Sequence, residues 1–428
     1  MNSLKVLVIS YDFFPDDSPN TYRWKNVLDV WAKQGVKVFV VSAQKPGLNN
    51  FEIANGIAIY RTGRSLFERV KSRILKTIRI KEGASPADKK AVAGKGLVRK
   101  IYDQTWKKIY WPDFAFLWYA PALRKAQELI NQEGIDKVIT VSWPFTAHVV
   151  GSRLKSVNDI TWLADTIDPF YLSKAVNNVF LYSNLNYRYE YKVLKTADKV
   201  SVLTSKLKAK YESLFPLIKG RVFVNHNIYI PGATPPFSEK ESHGVLKLVF
   251  VGTLNPITRP PQNLLNLVET FTNRYPHLKL VLHIYGNVEQ CSEIFRNYVR
   301  LIGHVVIIHE MVSRDKIQQI LADADILVNV GNTNPYQEPS KMIEYMYMLK
   351  PILNVCSIPE DSSKEALERY PLKLNVFPDD LGDNAKLEGI VKFLKSEEVA
   401  GRKAVNNILS DYMLKEVEKR YFKLLWPH

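Results

Sequence analysis

Short apolar runs alternate with amphipathic segments along both halves of the chain. KVLVISY at 5–11 is a continuous apolar run after its first lysine, which is typical of a parallel strand buried on both faces. The segment 22–35 carries apolar residues at helical spacing and ends at Gly35, so it predicts an amphipathic helix. KVFVVSA at 37–43 predicts the next strand.

A hairpin and a long final helix complete this pattern. FEIANGIAIYRT at 51–62 predicts a hairpin, because Asn55-Gly56 separates two alternating runs. Strand and helix segments alternate again after residue 110, and a second series begins with LKLVFVG at 246–252. The segment 402–425 predicts one amphipathic helix near the end of the chain.

The repeated strand–helix–strand units predict an α/β protein with two Rossmann-like, doubly wound domains facing across a cleft. The chain has 428 residues, too many for a single core. Residues 231–245 are rich in Pro, Gly and Ser and predict a linker. We therefore expect an amino-terminal domain over 1–230 with an insertion at 62–110, and a carboxyl-terminal domain over 246–405. A last helix over 406–428 is expected to cross back to the first domain.

Composition limits the class of protein and the compartment in which we expect it. Hydrophobic residues make up 46% of the chain and charged residues 24%, which is ordinary for a globular protein. The two cysteines, Cys291 and Cys356, exclude a disulfide framework and favour a reducing, cytosolic compartment. MNSLKVLVIS predicts a first strand rather than a signal peptide, and no apolar run of about 18 residues predicts a spanning helix.

The net charge of +16 indicates an anionic partner, and most of it lies in one segment. Between Arg61 and Lys108 there are fifteen Lys or Arg and four Asp or Glu. Within it, 65–80 predicts a basic amphipathic helix, typical of an element that binds an anionic membrane surface. The alternative is an ordinary helical insertion packed on its own domain. The chain has no nucleic-acid-binding module, so we expect no nucleic-acid partner.

Small and cationic residues follow the predicted strands of the second domain. FVGTLNPITRPPQNLL places Gly252 and Thr253 at the end of a strand and Arg259 in the loop that follows, and Gly286 and Asn287 end the next strand. Glycine at such a position lets a ligand approach the backbone. The alternative is a tight turn with a solvated arginine.

EPSKMIEYMYMLKPIL, which starts at Glu338, combines a helix start with charged residues in an apolar segment. A helix that starts at Pro339 or Ser340 presents unpaired N–H groups to a phosphate, and Lys341 adds a positive charge. Glu344, one turn further, is suited to accept from the two hydroxyls of a ribose. The alternative is that Lys341 and Glu344 pair on the helix surface.

Ordered motifs along most of the chain resemble glycosyltransferases of family 4, which have the GT-B fold. GNTNPYQEPSKMIEYMYMLKPIL resembles their GN…Q.PSK..EYM..GKPI signature, and FVGTLNPITRPPQNLL resembles VGT…R.P.NLL. In the first half, VSWPFTAHVVGSRLK resembles TSPPFSAHLVG.LLK, ITWLADTIDPFY resembles I.WIADFRDPW, and SYDFFPDDSPNTYRW resembles Y.FPP…G..R.

The resemblance implies an enzyme that moves a sugar from a nucleotide-sugar, with UDP or GDP expected, to a glycan or polyprenyl-diphosphate-linked acceptor in surface-polysaccharide synthesis. It also implies a cytoplasmic protein that is peripheral on the inner face of the cell membrane. It implies retention of anomeric configuration, no metal and no cofactor. It assigns the donor diphosphate to Arg259, Lys341 and the backbone around Ser340, and the ribose to Glu344. Glu338 is a further donor-site candidate.

In the first domain the resemblance implies that His148 contacts the transferred sugar or the acceptor, and a core histidine is the alternative. Asp165 and Asp168 end a predicted strand, where carboxylates suit hydroxyl binding or proton acceptance. Asp168 precedes a proline, so capping a turn is its alternative. Asp12 and Asn20 belong to the first loop, where the acceptor or sugar is expected.

Several positions depart from the family pattern. Tyr336 stands where the earlier glutamate of an E-x7-E pair is expected, Leu349 replaces the glycine before KP, and Ile167 replaces the arginine of DFRDPW. The paired glycines of the first loop are absent. These departures leave open a catalytically weak nucleotide-sugar-binding partner of a glycan-assembly complex. A GT-B nucleotide-sugar epimerase, which shares the two-domain cleft, is a further alternative.

Overall fold

The computed structural model describes residues 3–16, 18–63, 110–173, 179–231 and 244–427. The chain divides into two compact units, which are named here the first unit (Met1–Asn225 with Val417–His428) and the second unit (His226–Glu416). The predicted basic amphipathic helix at 65–80 and most of the predicted linker lie outside the described residues.

The first unit contains a sheet of eight described strands in the order β3-β4-β2-β1-β5-β6-β7-β8. The strands are β1 (Lys5–Ser10), β2 (Lys37–Ala43), β3 (Phe51–Ala54), β4 (Ile57–Thr62), β5 (Lys137–Ser142), β6 (Thr161–Thr166), β7 (Lys199–Val202) and β8 (Val222–Val224). The described helices before residue 225 are α1 (Pro19–Lys33), α2 (Tyr119–Glu133), α3 (Thr146–Val157), α4 (Val179–Leu194) and α5 (Ser205–Leu214). All described strand pairs are parallel except β3 with β4.

Local sequence explains these elements. The apolar run of β1 is buried on both faces, with Val6 to Ile9 fully covered. Ser18 caps α1 by accepting from the N–H of Thr21, and Pro19 occupies the first helical position. The predicted hairpin is confirmed, because β3 and β4 pair antiparallel around Asn55-Gly56, whose φ angles of 51° and 81° suit such a turn.

The second unit contains six described parallel strands in the order β11-β10-β9-β12-β13-β14. The strands are β9 (Leu246–Val251), β10 (Leu280–Tyr285), β11 (Val306–His309), β12 (Ile326–Val330), β13 (Ile352–Val355) and β14 (Lys373–Val376). The helices are α6 (Gln262–Arg274), α7 (Ser292–Arg296), α8 (Arg314–Ala322), α9 (Lys341–Tyr347), α10 (Ser362–Ala366), α11 (Asn384–Leu394) and α12 (Arg402–Leu409). One core includes α6 and α11, and the other includes α9 and α12, so apolar side chains cover both faces of this sheet.

The predicted final helix is two helices. α12 ends at Leu409, a short 3-10 turn follows, and α13 (Leu414–Leu425) begins after Met413. Met413 is extended and forms a bridge with Tyr229, and this pairing interrupts the helix. Among the residues described, no helix combines the length and apolar character needed to cross a membrane.

Candidate functional site

Three neighbouring strands of the second unit each end in a glycine. Gly252, Gly286 and Gly331 follow β9, β10 and β12 directly. A Cβ on Gly286 would lie 2.0 Å from the carbonyl oxygen of Gly252, and a Cβ on Gly331 would lie 1.7 Å from Oδ2 of Asp361. At Gly286 and Gly331 the backbone therefore lies so close to a neighbouring group that a residue with a Cβ would not fit.

A tight turn presents Arg259 at this edge of the sheet. Asn255 and Arg259 exchange two backbone hydrogen bonds, at 3.1 and 3.0 Å. The Asn255 side-chain oxygen accepts from the N–H groups of Ile257 and Thr258. Thr333, in the loop after β12, donates its backbone N–H to the carbonyl of Thr258 at 2.9 Å. The loop that carries Arg259 is therefore held from both sides.

The Arg259 side chain is half-buried and incompletely bonded. Its Nε is buried without a hydrogen-bond partner, and Nη1 makes only a 3.5 Å contact with the carbonyl of Thr253. Burial lowers the pKa of this guanidinium, while Tyr345 and Asp361 raise it. It forms no ion pair with a carboxylate in the described parts of the chain. A partly desolvated cation in this state favours an anionic ligand.

Lys341 lies at the same strand end. Its Cε is 3.6 Å from the position that a Cβ on Gly252 would take, so Gly252 and Lys341 are brought together as the sequence predicts. α9 begins at Lys341, and Ser340 is its exposed N-cap with helical backbone angles and no side-chain cap bond. This helix spans only seven residues, so the cations, rather than its amino end, define the candidate anion site.

The two glutamates of this segment have different surroundings. Glu344 is half-buried and makes no hydrogen bond or ion pair with any described residue, so the alternative of a Lys341–Glu344 pair is not found. Glu338 accepts from His226 Nδ1 at 2.5 Å and from the N–H of Asn227 at 2.8 Å. Both Glu338 oxygens are therefore engaged in the second unit, a geometry that does not favour its predicted donor role.

The remaining donor-site candidates contribute mainly backbone. Thr253 is exposed at the end of β9. The Asn287 carbonyl accepts from the N–H of Leu254 at 3.0 Å, and its side-chain oxygen accepts from the N–H of Glu289 at 2.9 Å. Asn287 therefore fixes the turn after β10.

Sequence reasoning missed three residues of this region, Gly331, Tyr345 and Asp361. Gly331 directly follows the apolar run ILVNV, so the strand-end signal used for Gly252 would have found it. Tyr345 lies in an apolar helical stripe that predicts only a core position. Asp361 is fully buried and accepts from the N–H of Ser363, and no sequence pattern places it near Gly331.

In the first unit, His148 is completely buried at the start of α3. Its Nδ1 is 2.7 Å from Oγ1 of Thr140, and its Nε2 is 3.1 Å from Oγ1 of Thr166. Burial lowers the pKa of His148 to about 3, so the ring is neutral at physiological pH. These contacts fit the core-histidine alternative, and the predicted sugar contact stays a prediction.

Asp165 is also fully buried, at the fifth position of β6. Its carboxylate forms an ion pair with Arg23 and accepts from Trp24 Nε1 at 2.8 Å and from the Tyr421 hydroxyl at 2.7 Å. Three partners from α1 and α13 therefore occupy its oxygens. This geometry favours a structural role for Asp165, and its predicted catalytic role stays a prediction.

Asn20 and Asp168 both contact Ser142, the last residue of β5. The Asn20 side chain, in the first turn of α1, donates to the Ser142 carbonyl at 3.3 Å. The Ser142 hydroxyl donates to the Asp168 carbonyl at 3.5 Å. These candidates therefore lie together at the carboxyl edge of the first sheet.

Asp12 lies on the same edge, after β1, and is ion-paired with Lys45 at 2.6 Å. Lys45 also pairs with Asp16. Burial lowers the pKa of Lys45, but the hydrogen bonds with Asp12 and Asp16 outweigh it, so the pKa is raised. The ion pair with Lys45 therefore holds the Asp12 side chain in place in the first loop.

No family model and no curated protein matches the chain, but solved structures match nearly all of it. Sucrose-phosphate synthase from Thermosynechococcus elongatus matches with a TM-score of 0.64 and 13% identity, over 98% of each chain. A glycosyltransferase from Rickettsia africae matches with a TM-score of 0.65 and 12% identity, over 99% of this chain and 98% of that one. Anabaena HepE, solved in complex with UDP and glucose, matches with a TM-score of 0.60 and 11% identity, over 99% of each chain. At these identities the likeness concerns the fold, and the fold of this chain is GT-B.

Proposed function

We propose that this chain is a glycosyltransferase that moves a sugar from a nucleotide-sugar donor to a glycan or lipid-linked glycan acceptor. The GT-B fold supports this proposal, because its solved neighbours include sugar-transferring enzymes. The observation that carries it is Arg259, whose half-buried guanidinium has an unpartnered Nε at a strand end that also holds Lys341. The finer parts of the proposal are retention of configuration and independence from metal.

The donor diphosphate would occupy the strand end formed by Gly252, Arg259 and Lys341. Negative charge grows on the leaving diphosphate as the glycosidic bond breaks. Cations that are already in place stabilise that charge more in the transition state than in the ground state. Arg259 supplies planar donors and Lys341 a mobile point charge. Glu344 would accept from the hydroxyls of the ribose.

The acceptor would bind along the carboxyl edge of the first sheet, where Asp12, Asn20 and Asp168 lie. Hydroxyl-rich ligands need acceptors and donors in alternation, and these side chains offer both kinds. His148, buried and neutral, would help to hold the residues of this edge in place rather than act as an acid or a base. We further propose that the acceptor is presented at an anionic membrane surface, a proposal that rests on the charge of the chain.

Calorimetric titration and thermal shift with UDP, GDP, ADP and their sugars test the donor site. We expect one nucleotide to stabilise the wild type, by about 2.7 kcal/mol when its concentration is 100 times the Kd. Arg259→Ala and Lys341→Ala should each remove most of this stabilisation. Lys392→Ala, which changes an exposed lysine on α11 of the same unit, is the matched control.

Two outcomes would contradict the proposal. A wild-type protein whose melting temperature ignores all these nucleotides lacks the donor site. Equal nucleotide affinity in the wild type, Arg259→Ala and Lys341→Ala would place the donor elsewhere. UDP is the first ligand to test, because a neighbour of the same fold was solved with UDP and glucose.

A further inference from the structure

Tyr345 links α9 to the end of β9. The residue is 1% exposed, and its hydroxyl accepts a hydrogen bond at 3.0 Å from the N–H of Val251, the last residue of β9. Lys341 lies one helical turn before Tyr345, and Gly252 directly follows Val251. One hydroxyl therefore joins the helix that carries Lys341 to the strand end that Lys341 approaches.

The same hydroxyl keeps an unused hydrogen. Burial raises the pKa of Tyr345 well above its ordinary value, so the phenol stays protonated. The bond from Val251 uses an oxygen lone pair, which leaves the O–H as a donor. No acceptor for this hydrogen is found among the residues that the structure describes. A buried donor without an acceptor is costly unless a ligand supplies one.

A second unpartnered donor belongs to the same strand end. Arg259 Nη1 lies 3.5 Å from the carbonyl of Thr253, two residues after Val251, and Arg259 Nε is buried without a partner. Two buried donors that both lack acceptors, from different elements of the same strand edge, indicate an anion rather than a defect in packing.

We infer that Tyr345 is a positioning residue for the donor diphosphate: it fixes the turn of α9 that carries Lys341 against β9 and places its hydroxyl at the strand end that Arg259 also contacts. This inference rests on the proposed function. It adds a neutral, buried phenol to a site otherwise defined by cations. It also predicts that the effect of Tyr345 is confined to ligands that carry the second phosphate.

Tyr370 provides the comparison within the same unit. It is fully buried, and its hydroxyl donates to the carbonyl of Lys350 at 2.8 Å. The hydrogen of Tyr370 therefore has an acceptor, whereas that of Tyr345 has none among the described residues. Tyr345→Phe and Tyr370→Phe each remove one buried hydroxyl and leave the ring in place.

The test is calorimetric titration of wild type, Tyr345→Phe and Tyr370→Phe. The probes are whichever of UDP, GDP and ADP stabilises the wild type, and the matching nucleoside monophosphate. We expect Tyr345→Phe to bind the diphosphate about tenfold more weakly, as for loss of a hydrogen bond in a charged site. Its monophosphate affinity should stay within twofold of wild type. Tyr370→Phe should keep both affinities while losing comparable thermal stability.

The outcomes distinguish a failure of the proposed function from a failure of this inference alone. If the wild type binds no nucleoside diphosphate, the proposed function fails and the inference falls with it. If the wild type binds but Tyr345→Phe matches it, only the inference is overturned. Equal losses for monophosphate and diphosphate would show a general structural effect and also overturn it.

A measurement on the wild type alone tests the inference even if the Tyr345→Phe variant folds poorly. Amide exchange at Val251 should slow more with the diphosphate than with the monophosphate, and equal rates would contradict the inference.

Discussion

Glu338 accepts a hydrogen bond from His226 at 2.5 Å, so the segment before α9 is tied to the first residues of the second unit. Glu338 also accepts from the N–H of Asn227. We expect Glu338→Gln to lower the free energy of unfolding by about 1–3 kcal/mol. The glutamine amide nitrogen is a donor and would face a donor where a carboxylate oxygen now accepts. Nucleotide affinity should stay within twofold of wild type.

Chemical denaturation and calorimetric titration check this prediction. Glu397→Gln, at an exposed position of the same unit, is the control and should change neither quantity. A variant that folds with wild-type stability but loses nucleotide affinity would restore the direct donor role predicted from the sequence.

The proposed contact between Glu344 and the ribose can be tested by changing either partner. We expect Glu344→Gln to weaken binding of the ribonucleotide diphosphate by about tenfold, because a charged acceptor for two hydroxyls is lost. The 2′,3′-dideoxy analogue should bind both proteins alike. Titration of both ligands forms a double-mutant cycle, and a loss of equal size for both ligands would argue against ribose contact.

His148 should make the first unit sensitive to acid. Its pKa is about 3 in the folded chain and about 6.5 when unfolded. The unfolded state therefore binds the proton first, and stability is complete above pH 6.5 and falls as pH drops from about 6.5 towards 3. The slope from this group is about 1.4 kcal/mol per pH unit.

Urea unfolding at pH 7.5, 6.0 and 5.0 measures this slope in wild type and His148→Asn. We expect the variant to be less stable at pH 7.5 and to have a shallower pH dependence, since other groups still titrate. Parallel curves would mean that folding does not shift the pKa of His148.

Asp165 should be essential for stability. Asp165→Asn leaves Arg23 buried without its counter-charge, which costs about 3–5 kcal/mol for a buried ion pair. Asp29→Asn breaks the more exposed pair with Lys25 on the same helix α1 and should cost less than about 1 kcal/mol. Urea unfolding of both variants decides the matter, and similar small losses would refute a structural role for Asp165.

Gly286 tests the close approach of two strand ends. A Cβ there would lie 2.0 Å from the Gly252 carbonyl oxygen, so Gly286→Ala should displace the backbone beside Lys341. We expect loss of nucleotide binding and a lower melting temperature. Gly389, in α11, has no neighbour within 4 Å of the position that a Cβ would take, so Gly389→Ala should be neutral or stabilising by up to about 1 kcal/mol. Full nucleotide affinity in Gly286→Ala would contradict the proposed site.

Local patterns predicted the framework of the molecule well. Features that depend only on neighbouring residues can be recognised in the sequence. Examples are the apolar run of β1, the turn at Asn55-Gly56 and the glycine after β9. The family resemblance assigns the donor diphosphate to Arg259 and Lys341, and both side chains lie at the end of β9 in the structure. The predicted membrane helix at 65–80 stays a prediction.

Long-range partners were beyond local reasoning. Asp165 ends an apolar strand, a position that predicts a site residue, but its partners come from helices that the strand pattern does not specify. Glu338 lies six residues before Glu344 rather than the eight of the motif, and its oxygens accept from His226 and Asn227, 112 and 111 residues away. The break in the last predicted helix likewise depends on Tyr229, which pairs with Met413.

The contact between Asp165 and Tyr421 spans 256 residues of sequence, and the whole second unit is encoded between them. A ribosome therefore makes the second unit before it delivers the hydroxyl that completes the buried charge network of the first. During synthesis the half of the protein that emerges first must wait with Arg23 and Asp165 incompletely bonded, exposed to chaperones and proteases, until the last helix emerges.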